Sequence, residues 1–312
     1  MGRSMKVIAP FDPWNDPLCT CPPKYTLSPY TSCGHRCAYC YITSYIPGGF
    51  RPRPKRNFVK RLLSDLRRIK SDIVISMANS SDPYTPPEGR LGLTRRALEI
   101  MIPRGLRIQL MTKSSLVVRD LDLIRKGNVM VSFTITTLDR VKAFKLEPGA
   151  PEPEKRLKAM EVLSSSGVPC AIRIDPLLPG INTDENMVRA LIKRAAEAGA
   201  LHVISSTYKA RPDSLRRIAF AFPDLKDAYL EAYRVEGEKV KRCVWYLKRR
   251  IREELLRMVR DLALEEGLSF AVCREGMPYL NTARTCDGTH LIPSRVKVMD
   301  LNTSTWKVVN RG

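Results

Sequence analysis

Three thiols carry the chemistry this sequence can be read for: Cys33, Cys37 and Cys40, with three and then two residues between them. They sit in Thr31-Ser-Cys-Gly-His-Arg-Cys-Ala-Tyr-Cys-Tyr41, a stretch punctuated by Gly34 and preceded by Pro29. A loop this short aims three thiolates at one centre, the usual grip on an iron–sulfur cluster. Three protein ligands for a four-iron cube leave one iron unclaimed. An open position marks a catalytic rather than a structural metal. The competing reading is a zinc knuckle, but zinc wants four ligands, and the nearest fourth candidate, His35, lies inside the loop.

Further polar groups fall where strands should end. Asn79-Ser80-Ser81-Asp82-Pro83-Tyr84, followed by Glu88, follows one apolar run, and Thr112-Lys113-Ser114-Ser115 follows the next. Ser132 stands in the middle of a third run, and Arg173-Ile-Asp175-Pro176 closes a fourth. Such clusters suit a charged small molecule, although Ser-Asp-Pro is also ordinary turn chemistry and Arg173–Asp175 also fits a structural ion pair. Four more thiols, Cys19, Cys21, Cys273 and Cys286, lie in irregular Pro- and Gly-rich surroundings, unlike Cys170 in an apolar strand. They form a candidate second site for an auxiliary iron–sulfur cluster or a zinc ion, with His290 as a substitute ligand.

The elements that must position these groups alternate. Strands are expected at Tyr25–Ser28, 72–78, 106–112, 129–135, 168–174 and 201–206, with helices at 56–70, 93–102, 119–126, 152–166 and 184–198 between them. Thr183 or Asp184 should cap the last of these helices. Six strands alternating with helices predict a parallel α/β fold whose site lies at the carboxyl ends of the strands. Prolines at 10, 13, 17, 22 and 23 predict an irregular segment over residues 1–24, ahead of a core over 25–210. From 211 to 312 the pattern turns mainly helical and ends in a cysteine-containing tail. One helix there carries Leu247, Ile251, Leu255, Met258, Val259 and Leu262 on its apolar side and stops at Gly267. Lys248, Arg249, Arg252, Arg257 and Arg260 make its other side a candidate phosphate-binding surface.

Cys-x3-Cys-x2-Cys with Tyr39 before the last Cys resembles the signature of the radical S-adenosylmethionine superfamily. Ser-Asp-Pro-Tyr with Glu88, Thr-Lys-Ser followed by Val118-Arg-Asp-Leu-Asp-Leu123, and Leu146-Glu-Pro-Gly-Ala-Pro-Glu-Pro-Glu-Lys-Arg156 resemble its spore photoproduct lyase-like branch, over residues 25–210. The resemblance implies a partial (β/α)6 TIM-like barrel with a helical C-terminal extension. It implies a [4Fe-4S] cluster on Cys33, Cys37 and Cys40 whose open iron chelates S-adenosylmethionine. An external reductant such as ferredoxin or flavodoxin would feed the cluster. Cleavage of the sulfonium would release a 5′-deoxyadenosyl radical that abstracts a hydrogen atom. By the same resemblance Ser81 and Asp82 would take the methionine amino group, Lys113 and Ser132 would lie near its carboxylate or the ribose, and Tyr39 near the adenine. Arg173 would reach the substrate or the sugar. One departure matters: spore photoproduct lyases carry a hydrogen-donating Cys three residues before the Asp, and here that residue is Asn79. The resemblance therefore supports the cofactor chemistry and not spore photoproduct repair itself.

Composition narrows the partners. Lys and Arg number 53 against 32 Asp and Glu, a net charge of +21 with pI near 9.8, which reads as attraction to nucleic acid. Nine cysteines, an odd and unevenly spaced set, read as ligands and buried thiols in a reducing cytoplasm rather than as a disulfide framework. No eighteen-residue apolar run occurs, and the N-terminus lacks a secretory apolar stretch, so neither a membrane span nor a signal peptide is expected. The leading expectation is a radical enzyme of lyase or transferase type acting on RNA or damaged DNA. A protein, peptide or small metabolite is the alternative substrate. A zinc-stabilised, non-catalytic nucleic-acid-binding protein is the alternative from another class.

Overall fold

The computed structural model describes residues 7–11, 18–70, 72–77 and 79–293 in full, and the backbone of 295–300 and 305–310. Eight strands form one sheet in chain order: β1 (Ile8–Pro10), β2 (Lys24–Leu27), β3 (Val74–Met77), β4 (Arg107–Thr112), β5 (Asn128–Thr134), β6 (Cys170–Leu177), β7 (Ala200–Thr207) and β8 (Ser269–Val272). β2 to β7 are the six expected strands, and every neighbouring pair among them is parallel. All described positions of β3 and β5 are buried, as strands covered on both faces require. The result is a partial barrel of α/β type.

The two edge strands correct the expected boundaries. β1 runs antiparallel to β2, with Ile8 opposite Leu27, so residues 1–24 are not wholly irregular. Three residues flanked by a proline are too short to show a period. The buried carboxylate of Asp65 fixes β1 by accepting from Val7 N at 2.7 Å and Ile8 N at 3.1 Å. β8 lies parallel to β7, with Ser269 opposite His202, so the sheet continues well past residue 210. The region beyond 210 also holds antiparallel pairs at 238–241 with 244–246 and at 295–300 with 305–310.

Helices pack around the sheet and its cavity end: α1 (Phe58–Leu66), α2 (Leu93–Met101), α3 (Arg140–Leu146), α4 (Pro153–Ser165), α5 (Glu185–Glu197), α6 (Pro212–Ala221) and α7 (Arg249–Glu265). The helix expected at 119–126 is 3-10 over Ser115–Asp120 and α only over Leu121–Ile124. Asp184 caps α5, accepting from Met187 N at 3.0 Å. In α7, Leu256, Val259 and Leu262 are buried, each worth about 1.5–3 kcal/mol of apolar transfer. Arg252 leaves the expected basic surface: it is buried and pairs with Glu275 at 3.0 Å and Glu238 at 2.8 Å. A guanidinium directed inward needs such partners, which sequence spacing alone did not show.

Side chains alternate along the strands, and the inward set forms two layers. Near the strand starts Met130, Ala171 and His202 pack against Gly288, and Gln109 donates to the Asp287 carbonyl at 2.7 Å. The chain after Cys286 thus fills that end. At the carboxyl ends Thr26, Met111, Thr134, Arg173, Asp175 and Ser206 face a cavity.

Candidate active site

The cavity has a volume of about 440 Å³, within the roughly 300–1,000 Å³ typical of small-molecule sites. Cys33, Cys37 and Cys40 line it together with Tyr39, Ser81, Asp82, Lys113 and Arg173. Seven of the nine cysteines of the chain border this one space, since Cys19, Cys21, Cys273 and Cys286 line it as well.

The loop bearing the first three thiols leaves β2 and turns through positive φ at Ser32 (72°) and Arg36 (55°). Its backbone is tied to distant segments. Ala38 N donates to Leu146 O at 2.7 Å, and Gly149 N donates to His35 O at 2.9 Å. Arg217 on α6 donates from Nε to Ala38 O at 3.0 Å and from Nη2 to Cys40 O at 2.5 Å. Gly149 has no room for a side chain: an added Cβ would stand 2.2 Å from the Gly34 carbonyl oxygen. The Tyr39 hydroxyl donates to Glu147, whose other carboxylate oxygen pairs with Arg156, both side chains being 1% exposed. Burial alone would raise Glu147, and Arg156 with Lys113 brings it below the ordinary range.

Burial pushes all three thiols up, Cys33 to about 12 with help from the Asp82 charge. Thiols so placed ionise only when a metal takes the charge. Among the described residues no three His, Cys, Asp or Glu side chains converge on one point, as a single ion would demand. The donor set is three soft thiols without a fourth ligand. His35 is engaged elsewhere, with Nδ1 3.0 Å from Gly149 O and Nε2 3.1 Å from Asp82. The second contact is an ion pair by distance rather than an aligned hydrogen bond. These residues fit a multi-iron cluster with one iron left for another ligand.

The expected cofactor residues divide. Lys113 Nζ lies 5.6 Å from the centre of the Tyr39 ring; burial lowers the ammonium's pKa, but Cys37 and Glu147 outweigh this and raise it. Ser81 donates to the Ser32 carbonyl at 2.5 Å, which leaves its oxygen free to accept. Asp82 departs from its expected part. Its carboxylate already accepts from Tyr84 N (2.8 Å), Thr112 Oγ1 (2.7 Å) and Lys113 N (2.8 Å) and faces His35. It fastens the cysteine loop to the ends of β3 and β4, and three of its roughly four acceptor sites are taken, the remaining one facing His35 Nε2. Burial would raise it, but His35 and these donors hold it below the ordinary carboxylate range. Ser132 does not line the cavity: its hydroxyl is fully buried and, among the described residues, without a partner. It lies one alternation step below Thr134, which does.

Arg173 does line the cavity and pairs with Asp175, whose Oδ1 accepts from Ser206 at 2.6 Å. Burial would raise Asp175; Arg173 and Lys209 bring it down to about 2. The far thiols meet: Cys286 Sγ is 3.6 Å from Cys21 Sγ, and Cys273 Sγ is 4.0 Å from Arg173 Nη2. Hydrogen bonds from Cys19 and Cys286 push the Cys21 thiol down, while Cys19 and Cys286 are pushed up. Sequence reading missed Lys209, at the end of the expected core, and Arg274 and the hairpin side chains Lys241 and Tyr246, which reach the cavity from beyond it; it also missed Arg217, which holds the cysteine loop through the Ala38 and Cys40 carbonyls. The Glu147-to-Arg156 stretch was visible as a motif, but its task of anchoring the loop was not.

A parallel partial barrel with a three-thiol loop after its first parallel strand defines a class of redox enzymes built on an open-iron cluster. Residues 27–192 match the radical SAM superfamily, and the chain belongs to it. It is similar to an uncharacterised protein of Mycobacterium tuberculosis, 28% identical over 234 residues and 68% of each chain. It is also similar to a protein of Pseudomonas phage M6 named radical SAM Nα-GlyT isomerase, 24% identical over 78% of this chain and 52% of that one. In fold it resembles a spore photoproduct lyase carrying S-adenosylmethionine and a dinucleoside spore photoproduct, with TM-score 0.61, 19% identity and coverage of 80% and 75%. Among the described residues no helix is long and apolar enough to cross a membrane.

Proposed function

We propose that this radical SAM enzyme acts on nucleic acid, as an RNA-modifying or DNA-lesion enzyme, drawing electrons from a reductant such as ferredoxin or flavodoxin in a reducing cytoplasm. Cys33, Cys37 and Cys40 would hold a [4Fe-4S] cluster, which when bound would supply the electron for reductive cleavage of S-adenosylmethionine. Lys113 offers its ammonium to the methionine carboxylate, Ser81 its free lone pair to the amino group, and Tyr39 its ring to the adenine. Glu147 and Arg156 keep Tyr39 oriented, and Arg217 and Asp82 keep the loop closed.

The observation that carries the substrate class is the cavity wall. Seven Lys and Arg line it against three Asp: Asp82, Asp175 and Asp287. Asp175 and Asp287 are opposed by Arg173 and Lys24, and Asp82 is held by the donors Tyr84 N, Thr112 Oγ1 and Lys113 N. The side chains on the wall itself are thus richer in cations than in carboxylates, with Glu275 behind it holding Lys209 at 3.0 Å, and Tyr41, Tyr45, Tyr208 and Tyr246 add aromatic faces for a base. Asn79 donates to Thr26 Oγ1 at 2.6 Å and has no S–H to offer, which argues against spore photoproduct repair proper.

Anaerobic incubation with S-adenosylmethionine and separate pools of RNA, damaged DNA and peptide tests this reading. Nucleic acid should stimulate 5′-deoxyadenosine formation, and Cys37→Ala should abolish it. Engagement of about four phosphates gives a binding slope against log salt of roughly −3 to −4. Stimulation by peptide alone, with salt-insensitive nucleic-acid binding, would refute the substrate class.

A further inference from the structure

Two groups of thiols border the cavity, and the radical chemistry uses only one. The other joins three distant parts of the chain: Cys19 and Cys21 ahead of β2, Cys273 just after β8, and Cys286 in the segment that closes the barrel. We propose that Cys19, Cys21, Cys273 and Cys286 bind a second iron–sulfur cluster, set in the wall of the same cavity.

The first support is proximity. Cys21 and Cys286 are 265 residues apart in sequence, and their sulfurs lie 3.6 Å apart. A two-iron cluster takes two thiolates on each iron, and with tetrahedral bonds of about 2.3 Å the sulfurs of such a pair would stand about 3.8 Å apart. Cys19 stands two residues before Cys21 in the chain, and Cys19 and Cys273 line the same cavity as that pair.

The second support is charge. A four-thiolate centre is an anion, and two cations attend this one. Lys24 Nζ is 3.6 Å from Cys21 Sγ, with its ammonium buried and held by Asp287 at 2.5 Å. Arg173 Nη2 reaches Cys273 Sγ at 4.0 Å from the other side. N–H groups directed at ligand sulfur are the usual outer shell of such centres.

Geometry also favours iron and sulfide over zinc. A zinc ion needs all four sulfurs on one point, and among the described residues no three donors converge. A cluster shares its four thiolates between irons, so its ligands stand wider. All four thiols line the cavity rather than a sealed knot. The Tyr41 side chain lines the same cavity as both thiol groups.

This inference does not depend on the nucleic-acid reading, and metal analysis separates the two. Full-length protein is prepared anaerobically with iron and sulfide, as wild type, as C21S/C286S, and as the triple variant C33A/C37A/C40A. Iron, sulfide and zinc are measured per chain. The triple variant should stay brown, with iron and acid-labile sulfide, since its second site is untouched. C21S/C286S should lose about a third to a half of the iron and keep the spectrum of the remaining cluster. A colourless, iron-free triple variant would overturn the proposal even if the double variant failed to fold. So would a triple variant carrying zinc in place of iron, or a double variant with undiminished iron. If the triple variant keeps all the wild-type iron, the first site fails instead.

Discussion

Replacing Gly149 by Ala tests whether the cysteine loop is held by the turn after α3. The new Cβ would stand 2.2 Å from Gly34 O and 3.0 Å from the Cα and carbonyl carbon of His35. These are backbone atoms, so no side chain can swing aside. Relief requires the turn and the loop to part by about 1 Å, since ordinary contact begins near 3.4 Å. That displacement breaks the Gly149 N to His35 O bond at 2.9 Å and the His35 Nδ1 contact with Gly149 O at 3.0 Å. Two hydrogen bonds at about 1 kcal/mol each and overpacking of about 1–3 kcal/mol give about 3–5 kcal/mol. At about 2.1 cal/mol/K per residue, 312 residues convert this to a Tm loss of roughly 5–8 °C. Gly105→Ala is the control: its φ is +70°, nothing lies within 4 Å, and it costs only the left-handed penalty of about 1–2 kcal/mol. Differential scanning calorimetry reads stability, and iron analysis after anaerobic reconstitution reads the loop. G149A should lose most of the iron bound by Cys33, Cys37 and Cys40, while G105A keeps it. Equal iron in both variants, or a G149A melting point within about 2 °C of wild type, would refute the account of the loop.

Three further substitutions address the site. Lys113→Ala should weaken S-adenosylmethionine binding about 10- to 100-fold, the worth of one charge-assisted contact, with iron content unchanged; equilibrium dialysis checks it, and an unchanged Kd would contradict the assignment. Arg156→Met leaves Glu147 buried without its cation and should cost about 3–5 kcal/mol by urea unfolding, a loss that E147Q in the same chain partly restores. For Asp175, held at about 2 against an unfolded value near 3.9, the folded state favours the ionised form. That contribution is fully present above about pH 4 and fades as pH falls toward 2. The stability gap between wild type and D175N should therefore narrow by about 2 kcal/mol between about pH 5 and pH 2. A gap independent of pH would show that the pair does not hold the Asp175 charge.

What the sequence displays and what it hides divide along contact distance in the chain. The six parallel strands and the thiol spacing are local patterns, and each core strand lies within three residues of its expected place. The site is assembled by long reach. Arg217 grips Cys40 from 177 positions away, Tyr39 meets Glu147 across 108, and Lys24 meets Asp287 across 263. No periodicity announces such pairs; an unexplained buried charge is their only trace, and burial is what a sequence withholds. The same blindness explains Ser132 and Asp82. A hydroxyl within an apolar run reads as a ligand whether it faces the cavity or the layer beneath, and strand register alone decides. A carboxylate in a polar turn does not show that it fastens segments together until Tyr84 N, Thr112 and Lys113 N are seen to donate to it. The boundary at 210 failed for a related reason. α6 supplies Arg217 to the first thiol loop and β8 delivers Cys273 to the second thiol group, so the chain beyond the six-strand core completes the cavity and is no appendage to it. Removal of residues 211–312 should therefore abolish iron binding at Cys33, Cys37 and Cys40, although that motif stays whole. A truncated chain that folds and holds its cluster would show that the core closes its own site.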